Sequence, residues 1–126
     1  MDYKWNDYKV LLVEDDETSL IFLQEVLDIT GIKIVSAKDG REAIDIVKNN
    51  PDIELVLMDI QLPVMNGFEA TREIKKINPD LTVIAQTAYA MEEDRRKCLA
   101  AGCSDVLTKP IEEKQLFNTM KKYLEK

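Results

Sequence analysis

Short runs of apolar residues alternate along this chain with longer stretches in which apolar residues recur every three or four positions. The runs that resemble strands cover residues 10–13, 33–37, 55–59, 81–85 and 106–107. Runs this short and this apolar are typical of strands buried on both faces of a parallel sheet. Strands that alternate with helices in this way predict an α/β fold, with roughly five βα units and no repeats or long linkers.

The stretches between these runs carry their apolar residues on one helical face, which predicts amphipathic helices. Thr18 or Ser19 is predicted to cap the first helix, and Gly31 suits its C-terminal end. A further helix is predicted around 95–101. The peptide bond before Pro110 is expected to be trans on base rates. The apolar positions that define the remaining helices are Ala43, Ile44 and Val47; Phe68, Thr71, Ile74 and Ile77; and Leu116, Phe117, Met120 and Leu124.

The composition is that of one globular domain and excludes several classes of function. The 126 residues are 45% hydrophobic and 33% charged, which is ordinary for a single folded domain. The net charge of −7 argues against a chain that binds nucleic acid by itself. No run approaches the roughly 18 consecutive apolar residues of a membrane span, and no signal segment opens the chain, so we expect a cytoplasmic protein. We assign residues 1–8 to an N-terminal arm, in which Trp5 is expected to be a packing residue, and residues 9–126 to the domain.

The chain contains two cysteines and no histidine, which narrows the chemistry further. Cys98 and Cys103 lack the CxxC spacing and the histidine partners of a zinc site, so we expect them to be small, partly buried apolar residues. Without histidine there is no Ser-His-Asp or Cys-His nucleophile and no phosphohistidine on this chain. A covalent phosphoryl adduct would therefore have to form on a carboxylate.

Polar side chains follow four of the predicted strands at the point where each strand ends. Glu14 and Asp15 come after the first strand, Asp59 ends the third, Thr87 follows the fourth, and Lys109 follows the fifth. Because the carboxyl ends of parallel strands meet at one edge of a sheet, we expect these side chains to converge there. The cluster would combine three carboxylates with one hydroxyl and one ammonium group.

This combination of groups suits phosphoryl transfer to a carboxylate. Clustered carboxylates favour a hard divalent cation, and Mg²⁺ is the natural candidate because it also binds phosphate oxygens. Asp59 would then be the nucleophile that forms an acyl phosphate. Thr87 would donate a hydrogen bond to one phosphoryl oxygen, and Lys109 would pair with another.

The chain resembles the receiver domains of two-component response regulators, which have a flavodoxin-like fold. The resemblance extends from Lys9 to the end of the chain. Within the family, the sequence is most similar to the receivers of hybrid histidine kinases. It implies a five-stranded parallel sheet in the order 2-1-3-4-5, flanked by five helices in a three-layer sandwich. The motifs that carry the resemblance are VEDDE at 13–17, MDIQLPVMNG at 58–67, QTA at 86–88 and TKP at 108–110.

The same resemblance implies a role for each site residue. Glu14 and Asp15 would be the acidic pair, Asp59 the phosphoacceptor, and the backbone carbonyl of Gln61 a further Mg²⁺ ligand. Thr87 would be the switch hydroxyl and Lys109 the phosphate-pairing lysine. The implied phosphodonor is a phosphohistidine on a histidine kinase or a phosphotransfer domain, and the output partner would bind the face formed by the fourth helix, fifth strand and fifth helix.

The sequence departs from the family pattern at one position of the switch. Receivers often carry an aromatic residue three positions before the lysine, and here that position is Val106. Tyr89, two residues past Thr87, is a candidate substitute for the missing aromatic ring. We also predict that Gln61 and Tyr89 control the access of water to the phosphoryl group and so set the lifetime of the adduct.

Other functions of the same fold remain as alternatives. A phosphatase with an aspartyl-phosphate intermediate commonly carries a second Asp two residues after the nucleophile, but here that position is Gln61, which argues against an enzyme beyond self-phosphorylation and slow self-dephosphorylation. A flavin protein would require a Gly- and hydroxyl-rich loop where this chain has acids. A phosphorylation-independent interaction module remains the main alternative, although mutually repelling carboxylates have no physical use in such a module.

Overall fold

The computed structural model describes residues 3–88 and 92–125, and its centre is a single parallel sheet. The five strands lie in the order β2-β1-β3-β4-β5, and every neighbouring pair is parallel. This is the predicted order. The strands are β1 (Lys9–Val13), β2 (Lys33–Ala37), β3 (Leu55–Asp59), β4 (Thr82–Thr87) and β5 (Asp105–Thr108).

Helices follow the strands along the chain, so the described residues form five βα units. The helices are α1 (Glu17–Asp28), α2 (Gly40–Asn49), α3 (Gly67–Ile77), α4 (Glu92–Ala101) and α5 (Glu113–Leu124). None of the helices within residues 3–88 and 92–125 is long and apolar enough to cross a membrane.

The core is divided by the sheet into two apolar layers. Residues of α1 and α5 pack with Leu12, Leu57 and Ile84 on one face, which we call the α1/α5 face. Residues of α2, α3 and α4 pack with Val56 and Val83 on the other face. Side chains alternate between the two faces along each strand, so β3 is buried throughout its length, as its unbroken apolar run predicts.

Three local predictions require correction. The cap of α1 is Asp16 and not Thr18 or Ser19, because the Asp16 carboxylate accepts hydrogen bonds from the backbone N–H and the Oγ of Ser19, at 3.1 Å and 2.7 Å. The helix therefore begins two or three residues earlier, within the acidic run. Strand β4 extends to Thr87, since its pairing with β5 continues to the end of both strands. The peptide bond between Lys109 and Pro110 is cis, so the base-rate expectation of a trans bond is wrong.

Tyr3 and Trp5, which precede β1, pack against the last helix. Trp5 is only 1% exposed, and its indole Nε1 donates a hydrogen bond to Oε2 of Glu125 at 2.6 Å. Its backbone N–H donates to the carbonyl of Thr30 at 2.8 Å, and its ring contacts those of Tyr3 and Phe117. The expectation that Trp5 is a packing residue is confirmed.

Both cysteines are buried, free and apolar in their surroundings, as expected. Cys98 and Cys103 lie in the layer with α3 and α4, and the Cys103 thiol donates to the Thr71 hydroxyl at 3.9 Å. Burial raises the pKa of Cys103 to about 12. This thiol therefore remains protonated and unreactive at neutral pH.

Candidate functional site

The register of the sheet brings the predicted site residues to one edge. Val13 pairs with Met58, so Glu14 leaves β1 beside Asp59, the last residue of β3. Asp59 in turn pairs with Gln86 on β4. These chain segments are separated by up to 73 positions in sequence, and only the parallel register makes them neighbours.

The edge is completed by the last residues of β4 and the residues after β5. Thr87 pairs with Thr108, and the backbone N–H of Lys109 donates to the carbonyl of Thr87 at 2.7 Å. The side chain of Thr87 is 3% exposed. The structure therefore brings all the predicted polar groups to the same edge of the sheet.

Three carboxylates meet at this edge. Oxygen atoms of Glu14, Asp15 and Asp59 all lie within 4.8 Å of one another. Glu14 and Asp59 are buried, at 1% and 3% exposure, whereas Asp15 is exposed and borders solvent. A set of oxygen donors that is open on one side fits a hard cation that keeps some of its water ligands, and Mg²⁺ has this character.

A single ammonium group bridges the two buried carboxylates. Lys109 Nζ lies 3.0 Å from Oε1 of Glu14 and 3.2 Å from Oδ2 of Asp59. Three carboxylates face one ammonium, so negative charge remains in excess. Burial, followed by the proximity of Asp59, raises the pKa of Glu14 from 4.5 to about 7, although Lys109 opposes the change. Burial acts to lower the pKa of Lys109, but Glu14 and Asp59 outweigh it and raise this pKa.

Backbone amides hold the remaining carboxylate oxygens in place. The N–H of Gln61 donates to Oδ1 of Asp59 at 3.0 Å, and the N–H of Asp16 donates to Oε2 of Glu14 at 3.3 Å. The backbone of Gln61 thus lies beside the cluster, and its carbonyl remains a predicted metal ligand. Both buried acids are oriented by the local chain as well as by Lys109.

The loop after β3 closes tightly over the end of this strand, and a glycine makes this possible. The N–H of Gly67 donates to the carbonyl of Ile60 at 3.1 Å. A Cβ atom at Gly67 would lie 2.6 Å from the carbonyl oxygen of Asp59, closer than real side chains approach. The Asn-Gly pair at 66–67 therefore both caps α3 and permits the loop to return to the site.

Two predictions about the switch have different outcomes. Val106 is 9% exposed and packs in the layer with α3 and α4, so an aliphatic side chain fills the position where many receivers carry an aromatic ring. Tyr89, the candidate substitute, lies outside the described residues.

The sequence reasoning missed Gln86, which is 1% exposed on β4. It lines a cavity of about 680 Å³ between α1 and the segment after β5, together with Glu14 and Lys109. Apolar side chains, including Phe22 and Ile111, form most of the remaining wall. The available signal was a long polar side chain directly after the apolar run at 83–85, at the end of the strand.

The family is decided by a comparison with known protein families. The model of the response regulator receiver domain matches residues 10–121. The chain belongs to this family. Receiver domains are the signalling modules of two-component systems, and the fold and the edge of acidic residues agree with this membership.

Related receivers occur within hybrid kinases and in complexes. The chain is 34% identical over 120 residues to the sensor histidine kinase GacS of Pseudomonas protegens. This match covers 91% of the chain but only 13% of GacS. The receiver domain of the sensor histidine kinase PA1611 of Pseudomonas aeruginosa, solved with a magnesium ion in its active site cleft, is 31% identical with a TM-score of 0.87, over 94% of this chain and 98% of that one. The Ssk1 receiver of Saccharomyces cerevisiae, solved with the histidine phosphotransfer protein Ypd1, is 32% identical with a TM-score of 0.87, over 98% and 90% of the two chains.

Proposed function

We propose that this receiver accepts a phosphoryl group from a phosphohistidine onto Asp59 in a Mg²⁺-dependent reaction and thereby switches a partner or an output domain. The observation that carries the proposal is the meeting of Glu14, Asp15 and Asp59 with Lys109 at one edge of the sheet. Asp59 and Glu14 both have their two oxygens oriented by hydrogen bonds, but of the three acids Asp59 is the one that ends the central strand. It is therefore the best-positioned nucleophile.

In the proposed reaction, the N–P bond of the donor breaks and an O–P bond to the Asp59 carboxylate forms. The imidazole of the donor, which carries a proton on its other nitrogen, leaves as neutral imidazole with the electron pair of the broken bond. Mg²⁺, held by Glu14, Asp15, Asp59 and the carbonyl of Gln61, would neutralise charge on the phosphoryl oxygens. Lys109 would turn its ammonium group toward one of these oxygens, and the Thr87 hydroxyl would donate to another. The residues position the groups and neutralise charge, and no additional acid or base is required.

The proposed donor is a histidine kinase or a phosphotransfer domain. This chain carries no histidine, so the phosphohistidine must be supplied by another chain or another domain. The similarity to the Ssk1 receiver, solved with a histidine phosphotransfer protein, and to part of a sensor histidine kinase supports this choice. Since such kinases use ATP, we place the receiver in the cytoplasm.

We expect removal of Mg²⁺ to slow the formation of the adduct by about tenfold or more, because the excess negative charge of the cluster would then repel the phosphodonor. Intact-mass analysis after incubation with acetyl phosphate, with Mg²⁺ or with a chelator, measures this effect. A mass increase of one phosphoryl group that appears equally fast in both samples would contradict the metal-dependent reaction. No adduct in either sample would favour the phosphorylation-independent interaction module.

We expect Gln61→Ala to change the rate of dephosphorylation severalfold without preventing phosphorylation. The backbone of Gln61 is hydrogen-bonded to Asp59, while its side chain is exposed beside the site and can obstruct water. The decay of the adduct, followed by mass after the phosphodonor is removed, measures the effect. Gln24→Ala, on α1, is the matched control. An unchanged decay rate would remove Gln61 from the proposed control of water access.

We also propose that the output partner binds the face formed by α4, β5 and α5. The exposed surface of α4 presents Arg95, Arg96 and Lys97 beside Leu99, which is 48% exposed. The first turn of the same helix carries three acids, and Lys97 pairs with one of them, so an exposed apolar side chain among charges of both signs suits a partner with a partly apolar and mixed-charge surface. Residues 9–126 would be the receiver domain itself, with Tyr3 and Trp5 packed against it.

A further inference from the structure

The side-chain nitrogen of Gln86, Nε2, has no hydrogen-bond partner. Among the residues that the structure describes, this Nε2 is the only buried side-chain nitrogen or oxygen atom without a hydrogen-bond partner. Gln86 is 1% exposed, so solvent does not reach most of the side chain. An unpaired donor in the interior is unfavourable, and native structures rarely retain one without a compensating use.

The sheet places this amide beside the phosphoacceptor. Gln86 pairs with Asp59 in the register of β3 and β4. Asp59 lies two residues after Leu57, and Gln86 lies two residues after Ile84. Leu57 and Ile84 are on the α1/α5 face, and residues two apart in a strand point to the same face, so the side chains of Asp59 and Gln86 also lie there. On the other side, Gln86 pairs with Leu107, which lies two residues before Lys109. Gln86 therefore stands between the strands that deliver Asp59 and Lys109.

Each oxygen of the two neighbouring carboxylates already accepts one hydrogen bond in this state. Lys109 binds Oε1 of Glu14 and Oδ2 of Asp59, and backbone N–H groups bind the other oxygen of each carboxylate. The ammonium group of Lys109 can only donate, so it offers Gln86 no acceptor. The cavity beside Gln86, which Glu14 and Lys109 also line, leaves room for the amide to turn.

We propose that Gln86 is a positioning residue of the phosphorylated state, in which its amide donates to the Glu14 oxygen that Lys109 leaves. The inference rests on the proposed function, in which Lys109 turns toward a phosphoryl oxygen. Gln86 then replaces Lys109 as the donor to Oε1 of Glu14 and keeps this carboxylate oriented toward the metal. The unpaired amide thus biases the two-state equilibrium toward the loaded site.

The test compares Gln86→Met with the wild type, because methionine keeps the length of the side chain and removes the amide. Gln115→Met, at an exposed position of α5, is the matched control. The probe is Mg²⁺ with beryllofluoride, which mimics the phosphoryl group. We expect Gln86→Met to bind the probe about tenfold more weakly, while its resistance to urea without the probe stays equal or rises. A residue that only fills space would change both states equally, and this result would overturn the proposal.

A second measurement requires no variant. In the ¹⁵N spectrum of the wild type, the side-chain amide protons of Gln86 should move downfield and exchange more slowly when Mg²⁺ and beryllofluoride are added. Unchanged amide signals in a protein that binds the probe would overturn the inference and leave the proposed function intact. A wild type that neither binds the probe nor forms an adduct would overturn both.

Discussion

Replacing Asp59 by asparagine is expected to abolish the phosphoryl adduct completely and to leave the fold intact. The amide of asparagine cannot act as the nucleophile, yet it keeps the shape of the side chain. Its one carbonyl oxygen can still accept the hydrogen bond from the N–H of Gln61, while Lys109 keeps its contact with Glu14. The loss should be total, because neither of the other two acids of the cluster ends the central strand. Intact-mass analysis after treatment with acetyl phosphate and Mg²⁺ gives the result directly.

The same substitution should stabilise the protein when Mg²⁺ is absent. Asp59 is 3% exposed and shares one ammonium group with Glu14, so removing its charge relieves repulsion between buried carboxylates. We expect the free energy of unfolding to rise by about 1 kcal/mol in a chelating buffer. Asp80→Asn, at an exposed turn before β4, controls for the general effect of losing one charge. A Mg²⁺-dependent adduct that persists in Asp59→Asn would mean that another carboxylate is the phosphoacceptor.

The strands of this protein were predictable because each is a short apolar run bounded by polar residues. Strand β3 is the clearest case, since its unbroken apolar run is what a central strand with two buried faces requires. The positions of Glu14, Asp59 and Lys109 followed from the same logic, because parallel strands direct their carboxyl ends to one edge. The order of the strands came from the family resemblance and is confirmed.

The contacts that join distant parts of the chain were not predictable from local patterns. Trp5 donates its indole hydrogen bond to Glu125, a residue 120 positions away, and nothing around either residue indicates this partner. The bridge from Lys109 to both Glu14 and Asp59 likewise depends on side-chain geometry that periodicity does not encode. The start of α1 was missed for a smaller reason, since several residues of the acidic run are good caps and only the backbone conformation distinguishes them.

The unpaired amide of Gln86 could not be predicted from the sequence either. A glutamine near the end of a strand is ordinarily exposed, and its burial depends on how α1 and the segment after β5 close over the sheet. The places where simple pattern reasoning fails in a folded protein are often sites of function. In this receiver the failure lies next to Asp59, the proposed phosphoacceptor, on the same face of the sheet.

The stability of the Mg²⁺-free protein is expected to fall as the pH rises from about 4.5 to about 7, because of Glu14. Its pKa is raised from 4.5 to about 7 in the folded state, chiefly by burial and then by Asp59. Between these values the folded state keeps a proton that the unfolded state has released, so the free energy of unfolding decreases with pH. The contribution of Glu14 amounts to about 3 kcal/mol and is fully lost above pH 7.

Glu14→Gln isolates this effect from the other carboxyl groups. The side chain of the variant is neutral at every pH, and its oxygen can still accept a hydrogen bond from Lys109. We therefore expect the difference in the free energy of unfolding between the variant and the wild type to increase, in favour of the variant, by about 3 kcal/mol from pH 4 to above pH 7. Urea unfolding across this pH range in a chelating buffer measures the difference, and Glu54→Gln, at the opposite end of the sheet, controls for net charge. Added Mg²⁺ should favour ionised Glu14 and remove most of the dependence in the wild type. Parallel stability profiles of the wild type and Glu14→Gln without Mg²⁺ would show instead that the buried carboxylate loses its proton at an ordinary pH.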